Sequence, residues 1–465
     1  MIGVNNNKLY SNLLIFKFEN HSLYYPKDLE NILTHSENSG KLKEIEDITT
    51  LGQCIYKKIF VIGLGTIENF NSIVLLNSIG TAIRKIKDSI EELDILDNFE
   101  EDYGFTLGEA VSISLYHFKG LKKVAEEQKL KNINIISPHA NSIYDGLNLG
   151  SSTNFVRELV NLPSNIVTPK YLCQKAEDIA KDGNLKIEIK DKFTLEQMGM
   201  NGILSVAKGS VKSPRLIVVQ YWGNDKDKNI TAIIGKGVTF DSGGISIKPS
   251  KGMEDMIEDM AGAASILGTM KYISYIKPRK NILALIPVVE NMPSANAYKP
   301  GDVITTYSKK TVQVISTDAE GRLILCDAIT YAKELGATTI IDVATLTGSC
   351  ANFLGDINIG MLCNNDILSN NIINAGRDIG ENIWRMPNNP DYLEQLKTPS
   401  ADLKNTGTNC GAIVAGLFLE SFAEGTDFAH LDIAGCSSFS KASNIYSKGA
   451  SGMPTRTLIN YLMKF

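Results

Sequence analysis

What most restricts the fold of this 465-residue chain is a rhythm in its C-terminal part. The segments Arg215–Gln220, Ile230–Ile234, Ile282–Pro287 and Thr339–Val343 are short, largely apolar runs, and they alternate with helical-period segments over 254–276 and 320–335. Apolar runs without polar alternation predict strands buried on both faces. Their alternation with helices predicts a mainly parallel sheet covered on both sides. Residues 1–145 form a separate α/β unit in this reading, with strands at Ile59–Gly63 and Asn132–Ile136 and a helical pattern over 71–98. Residues 146–165 read as a linker helix leading into Asn161-Leu162-Pro163-Ser164-Asn165, and 166–465 as the larger domain. The expected class is α/β, two domains, each a mostly parallel or mixed sheet flanked by helices.

Composition narrows the function. At 43% hydrophobic and 21% charged residues the chain has enough apolar side chains for full cores. A formal net charge of −5 argues against a nucleic-acid partner, which calls for a basic face. The seven cysteines are scattered and never form a C-x-x-C pair, which predicts reduced thiols. The only apolar run near the start is Leu13-Leu14-Ile15-Phe16, too short for a signal-peptide core, and no run reaches membrane-span length. A cytoplasmic protein with no membrane partner is the expectation. Gly63-Leu64-Gly65 lacks the third glycine of a dinucleotide-binding loop.

Ligand sites in open α/β sheets form beyond the carboxyl ends of strands, and two of these strand ends carry unusual residues. One runs Gly235-Lys236-Gly237-Val238-Thr239-Phe240-Asp241-Ser242-Gly243-Gly244, followed by Lys248 and a helix with Asp255 and Asp259. A lysine between two glycines just past a buried strand is not a solvated lysine, and the glycines allow close backbone approach. The other is Ser316-Thr317-Asp318-Ala319-Glu320-Gly321-Arg322-Leu323. In extended backbone Asp318 and Glu320 project to one side. A helix starting near Glu320 puts Arg322 in a first turn that favours an anion. Taken singly these residues have plainer readings: a D-x-E pair is usually surface charge, and Glu254, Asp255 and Glu258 suit the acidic first turns of a helix. Together they form a set of carboxylates that bound cations would reconcile. Oxygen donors suit Mg, Mn and, in part, Zn. His21, His35, His117, His139 and His430 lie away from both motifs in sequence, so no H-E-x-x-H zinc site is expected.

These two segments resemble the signatures of the leucyl aminopeptidase (cytosol aminopeptidase) family of two-metal exopeptidases. Further matching stretches are Glu290-Asn291-Met292-Pro293 with Asn296-Ala297-Tyr298, Asp342 to Gly348, Trp384-Arg385-Met386-Pro387, Ala401 to Asn405, and His430-Leu431-Asp432-Ile433-Ala434-Gly435. The resemblance covers roughly residues 150–465, and the first 150 match only in size and α/β character. Ser316 and the Asn161–Asn165 segment depart from the usual pattern without touching a proposed ligand.

The resemblance implies that the C-terminal domain is catalytic and hydrolyses the first peptide bond of peptides with a free α-amine, with Leu-like first residues preferred. It implies two divalent metal ions, Mn2+ or Zn2+, sharing a water or hydroxide. Asp241 and Glu320 would bridge them, Lys236 and Asp259 would complete one site, and Asp318 the other. Lys236 would then bind as a neutral amine. Lys248 would act as electrophile on the scissile carbonyl, and Arg322 would hold a bicarbonate-like anion as general base. Thr345, Leu346, Thr347 and Gly348 would lie along the substrate, and Met256 and Ala450 near the first side chain. The family also implies a homohexamer, a dimer of trimers, with the N-terminal domain outside, shaping access. A serine hydrolase is the rival suggested by Asp241-Ser242-Gly243-Gly244, but no G-x-S-x-G elbow accompanies it. A scaffold role fits less well, because every proposed ligand position keeps a competent side chain.

Overall fold

The computed structural model describes residues 1–6, 9–123, 128–183 and 185–465. The chain divides into two compact units, Met1–Asn154 with Ser440–Lys448, and Phe155–Phe439 with Gly449–Phe465. The division falls inside the helix Ala140–Asn161.

The first unit holds a six-stranded sheet in the order Ile2–Val4, Asn132–Ile136, Glu92–Leu96, Asn12–Lys17, Lys58–Gly63, Ile45–Thr49. All neighbours are parallel except the last pair. The apolar strands bury Leu14, Phe16, Phe60, Ile62, Ile133 and Ile135 beneath the helices Ser72–Ile86 and Gly104–Ser114. The helical pattern over 71–98 is two elements: the helix ends at Ile86 and the strand Glu92–Leu96 follows. Apolar residues in that short strand mimic continued helical spacing because the strand is buried on both faces. Ile445, from the nine-residue return Ser440–Lys448, belongs to this same core.

The second unit is built on a nine-stranded mixed sheet. Its order is Asn382–Arg385, Asn358–Cys363, Asp427–Asp432, Thr339–Ala344, Ile230–Gly235, Asn281–Asn291, Arg215–Trp222, Lys186–Lys190. The ninth strand, Gly237–Asp241, pairs with the far half of Asn281–Asn291. Four central strands, from Asp427–Asp432 to Asn281–Asn291, run parallel, and antiparallel strands flank them. All eleven residues of Asn281–Asn291 are buried. This explains its unbroken apolar stretch over 282–289, since a central strand has no solvent face. The helices Ala261–Ile276 and Gly321–Glu334 cover the sheet. The segment read as one helix over 254–276 is a 3-10 turn, Met253–Glu258, followed by the helix Ala261–Ile276.

Candidate metal centre

The chemistry gathers at the carboxyl edge of the central strands. Lys236 interrupts the strand that began at Ile230. Its N–H donates to the Val343 carbonyl at 3.0 Å and its own carbonyl accepts from Ala263 N–H at 2.8 Å. The backbone is therefore pinned between a neighbouring strand and the start of the Ala261–Ile276 helix. The flanking glycines make that fit possible. A Cβ on Gly235 would come within 2.6 Å of the Gly262 carbonyl, and one on Gly237 within 2.6 Å of the Pro287 carbonyl.

Pinned in this way, the Lys236 side chain points into a buried acidic cluster. Its Nζ lies 2.7 Å from Asp259 Oδ1 and 2.8 Å from Glu320 Oε1, and donates to the Thr345 carbonyl at 2.8 Å. Asp241, Asp259 and Glu320 each place one carboxylate oxygen within 4.8 Å of the others. Lys248 closes the other side, 2.8 Å from Asp241 Oδ2 and 2.6 Å from Asp318 Oδ1. Lys236, Asp241, Asp259 and Glu320 are buried, whereas the Asp318 side chain is 38% exposed and Lys248 22%, so the site opens on their side.

The electrostatics are those of a site with surplus negative charge. Four carboxylates (Asp241, Asp259, Asp318, Glu320) meet two ammonium groups (Lys236, Lys248), leaving two negative charges when all are ionised. Burial drives the Asp259 carboxyl well above its usual range, and Lys236 pulls it back only in part. Burial and then the Glu320 charge push Asp241 up to about 6. Glu320 moves the other way: burial is its largest influence and raises it, but Lys236, Lys248 and a backbone hydrogen bond together pull it below its usual value. Burial opposes the charge of Lys236 and of Lys248, yet the surrounding carboxylates hold both above the ordinary lysine value. Asp259 Oδ2 and Glu320 Oε2 are buried with no protein hydrogen-bond partner. Orphaned carboxylate oxygens are costly. Oxygen donors aimed into a surplus of negative charge, with a lysine amine beside them, fit a pair of divalent cations.

The structure brings Lys236, Asp241, Lys248, Asp259, Asp318 and Glu320 together, but not through the local geometry expected for 318–320. Residues 317–318 form a turn and Glu320 has helical dihedrals as the N-cap of Gly321–Glu334. The two carboxylates consequently meet different lysines, Glu320 meeting Lys236 and Asp318 meeting Lys248. Arg322 lies buried in the first turn of that helix, its Nε without a partner, and burial lowers the guanidinium to about 10. The Thr345 hydroxyl donates to Asp259 Oδ1 at 2.8 Å. Leu346 is half-buried against the core, and Thr347 caps the helix that starts at Gly348. Met256 lies in the 3-10 turn before Asp259. Ala450 is buried in a short strand, its N–H donating to Asn161 Oδ1 and its carbonyl accepting from Arg157 Nε, both at 3.0 Å.

Sequence reasoning did not assign the residues that hold the two loops. Asn291, fully buried, donates to Asp241 Oδ1 at 2.8 Å and to the Thr317 carbonyl at 3.0 Å, which ties one ligand loop to the other. Tyr298 donates to the same carbonyl at 2.7 Å. Asn405 accepts from Ile315 N–H and donates to the Ser316 carbonyl. All three fall in matching stretches, which was the available signal. His430 is buried against Asp342 at 2.7 Å, with Arg322 among the charges acting on it, so one histidine distant in sequence approaches the site in space.

The sequence matches the family description "Cytosol aminopeptidase family, catalytic domain" over residues 154–459, and the N-terminal domain of that family over 24–124. A probable cytosol aminopeptidase of Alkaliphilus metalliredigens (strain QYMF) is 38% identical over 448 residues, covering 92% of this chain and 90% of the relative. One of Dechloromonas aromatica (strain RCB) is 36% identical, covering 96% and 94%. Among solved structures, the bottromycin maturation enzyme BotP superposes with a TM-score of 0.88 at 24% identity, covering 98% of this chain and 99% of that one. BotP in complex with Mn superposes equally well.

Proposed function

This chain belongs to the cytosol aminopeptidase family and is a metallo-exopeptidase, and from that premise we propose that it removes Leu-like first residues from peptides with a free α-amine. The observation that carries the reading is the buried cluster of Asp241, Asp259, Glu320 and Lys236, with two carboxylate oxygens unpartnered and Asp318 and Lys248 at its open side. We assign Lys236, Asp241, Asp259, Asp318 and Glu320 as ligands of two divalent cations, Mn2+ or Zn2+. Bound there, the pair would supply Lewis acidity toward the scissile carbonyl and water activated at neutral pH.

The chain's own groups complete the reaction in this proposal. Lys248 keeps its proton, because two carboxylates hold it charged, and sits where negative charge develops on the carbonyl oxygen. Such a preorganised donor is typically worth about 3–4 kcal/mol. Arg322, buried at a helix N-terminus with its Nε unpartnered, would hold a bicarbonate-like anion beside the cluster. Bound there, such an anion would supply general base and then general acid chemistry for the water and the departing amine. Thr345, Leu346, Thr347 and Gly348 line the substrate backbone, and Met256 and Ala450 border the first side chain. A homohexamer, a dimer of trimers, and a cytoplasmic location belong to the same reading, with residues 1–145 serving assembly or access rather than chemistry.

The test is cleavage of a leucine anilide beside its N-acetylated twin, with Mn2+ and then with chelator. We expect cleavage of the free-amine substrate alone, lost on chelation and restored by Mn2+. Cleavage of the blocked substrate would sink the reading.

A further inference from the structure

We propose that Asp432, assigned to no ligand or substrate contact above, is a positioning residue that sets both the substrate edge and one side of the metal centre. The inference rests on the function proposed above. Asp432 ends the strand Asp427–Asp432, in register with Ala344, the last residue of Thr339–Ala344. There the chain leaves the sheet, and residues 345–347 carry it to the helix Gly348–Leu354. Backbone N–H groups leaving a sheet lose their ladder partners and need others.

Asp432, 1% exposed, supplies them. Its Oδ1 accepts from Leu346 N–H at 3.2 Å, Thr347 N–H at 3.5 Å and Ala434 N–H at 3.1 Å. Its Oδ2 accepts from the Thr347 hydroxyl at 2.6 Å. That hydroxyl oxygen accepts in turn from Cys350 N–H at 3.0 Å. At the other end of the same short bridge, Thr345 donates to Asp259 and accepts from Lys236. A single carboxylate therefore holds Leu346 and Thr347, on the proposed substrate path, directly beside Thr345, which grips two proposed ligands. An amide in its place would turn an N–H toward these donors and release one side of the bridge.

A residue that only stabilised the fold would lower the melting temperature and leave substrate and metal affinity untouched. A positioning residue moves both. The test compares wild type, Asp432→Asn, Thr347→Val and Thr347→Ser. It measures kcat and KM on leucine anilide at saturating Mn2+, and Mn2+ affinity by calorimetry, which needs no turnover. Losing a hydrogen bond to a charged group should raise KM about tenfold or more in Asp432→Asn and Thr347→Val, with kcat changed far less. Asp432→Asn should also weaken Mn2+ binding several-fold, and Thr347→Ser should restore most of the loss. Unchanged KM and Mn2+ affinity in Asp432→Asn would overturn the inference, as would a serine variant no better than valine. Should Asp432→Asn fail to fold, the Thr347 pair decides. If wild type leaves leucine anilide uncleaved, the substrate class is what fails. Calorimetry then still judges Asp432, and unchanged Mn2+ affinity in its variant counts against the inference.

Discussion

Carboxylates hold Lys236 as an ammonium, with a proton it would give up to bind a cation, and its environment shows what each neighbour contributes. Glu320 is buried yet held on the low side of its range by that lysine, so it is an ionised donor ready for a cation. Glu320→Gln removes that charge while keeping the shape. We expect Mn2+ stoichiometry to fall below two per chain, read by calorimetry or elemental analysis, with activity lost alongside. Lys248 should behave differently, since it sits at the open side of the cluster. Lys248→Ala should lower kcat about a hundredfold or more, the scale of one lost preorganised donor, while Mn2+ affinity changes little. Equal losses in both would make Lys248 a structural counter-ion instead. That Lys236 is no solvated lysine was legible in the sequence, because a lysine between glycines just past an apolar strand has no water to face, whereas Glu320 and Lys248 drew their roles from the family resemblance. The dihedrals of 317–320 were not legible, because a turn and a short extended stretch share the same polar composition.

Among elements, the apolar strands were the most legible. Thr339–Ala344 and Asn281–Asn291 extend the segments read from hydrophobicity by one and several residues. Strand direction was hidden, because the pattern of a buried strand is the same whichever way its neighbour runs. The antiparallel placement of Arg215–Trp222 against Asn281–Asn291 is the clearest case. The helix Gly321–Glu334 is anchored by Asp327, fully buried, which accepts from Ile203 N–H at 3.1 Å and Tyr307 N–H at 2.8 Å. Burial pushes its carboxyl up to about 7, against the pull of those donors. The folded chain then binds a proton at pH values where the unfolded chain has lost it, so this residue's contribution to stability falls as pH rises from about 4 to about 7. Asp327→Asn cannot titrate. Its unfolding free energy relative to wild type should shift in its favour across that window, measured by denaturation at several pH values. Helix-to-sheet contact is equally exacting at Gly262, where a Cβ would lie 2.1 Å from the Val343 carbonyl. Gly262→Ala should lower stability by about 1–3 kcal/mol and disturb the Lys236 backbone beside it.

At the scale of the whole molecule, cation binding and stability are coupled. Ligands that bind only the folded chain stabilise it by mass action, about 2.7 kcal/mol at a hundred times the dissociation constant. Chelator should therefore lower the melting temperature and added Mn2+ raise it, with the Glu320→Gln variant responding less. Melting curves indifferent to both would mean the cluster is held together by its lysines alone.

The return of Ser440–Lys448 to the first unit has a consequence for how this protein comes into being. Ile445 sits in the core of that unit, and the backbone at Asn444 and Ile445 packs so closely on Gly80 that a Cβ there would meet it at 2.7–2.8 Å. Synthesis runs from the N-terminus, so the first unit emerges early with a gap in its packing. It waits, nearly complete, for nine residues made only after the whole of Phe155–Phe439. No single cut in the gene yields both units whole, and a later part of the message finishes what an earlier part began.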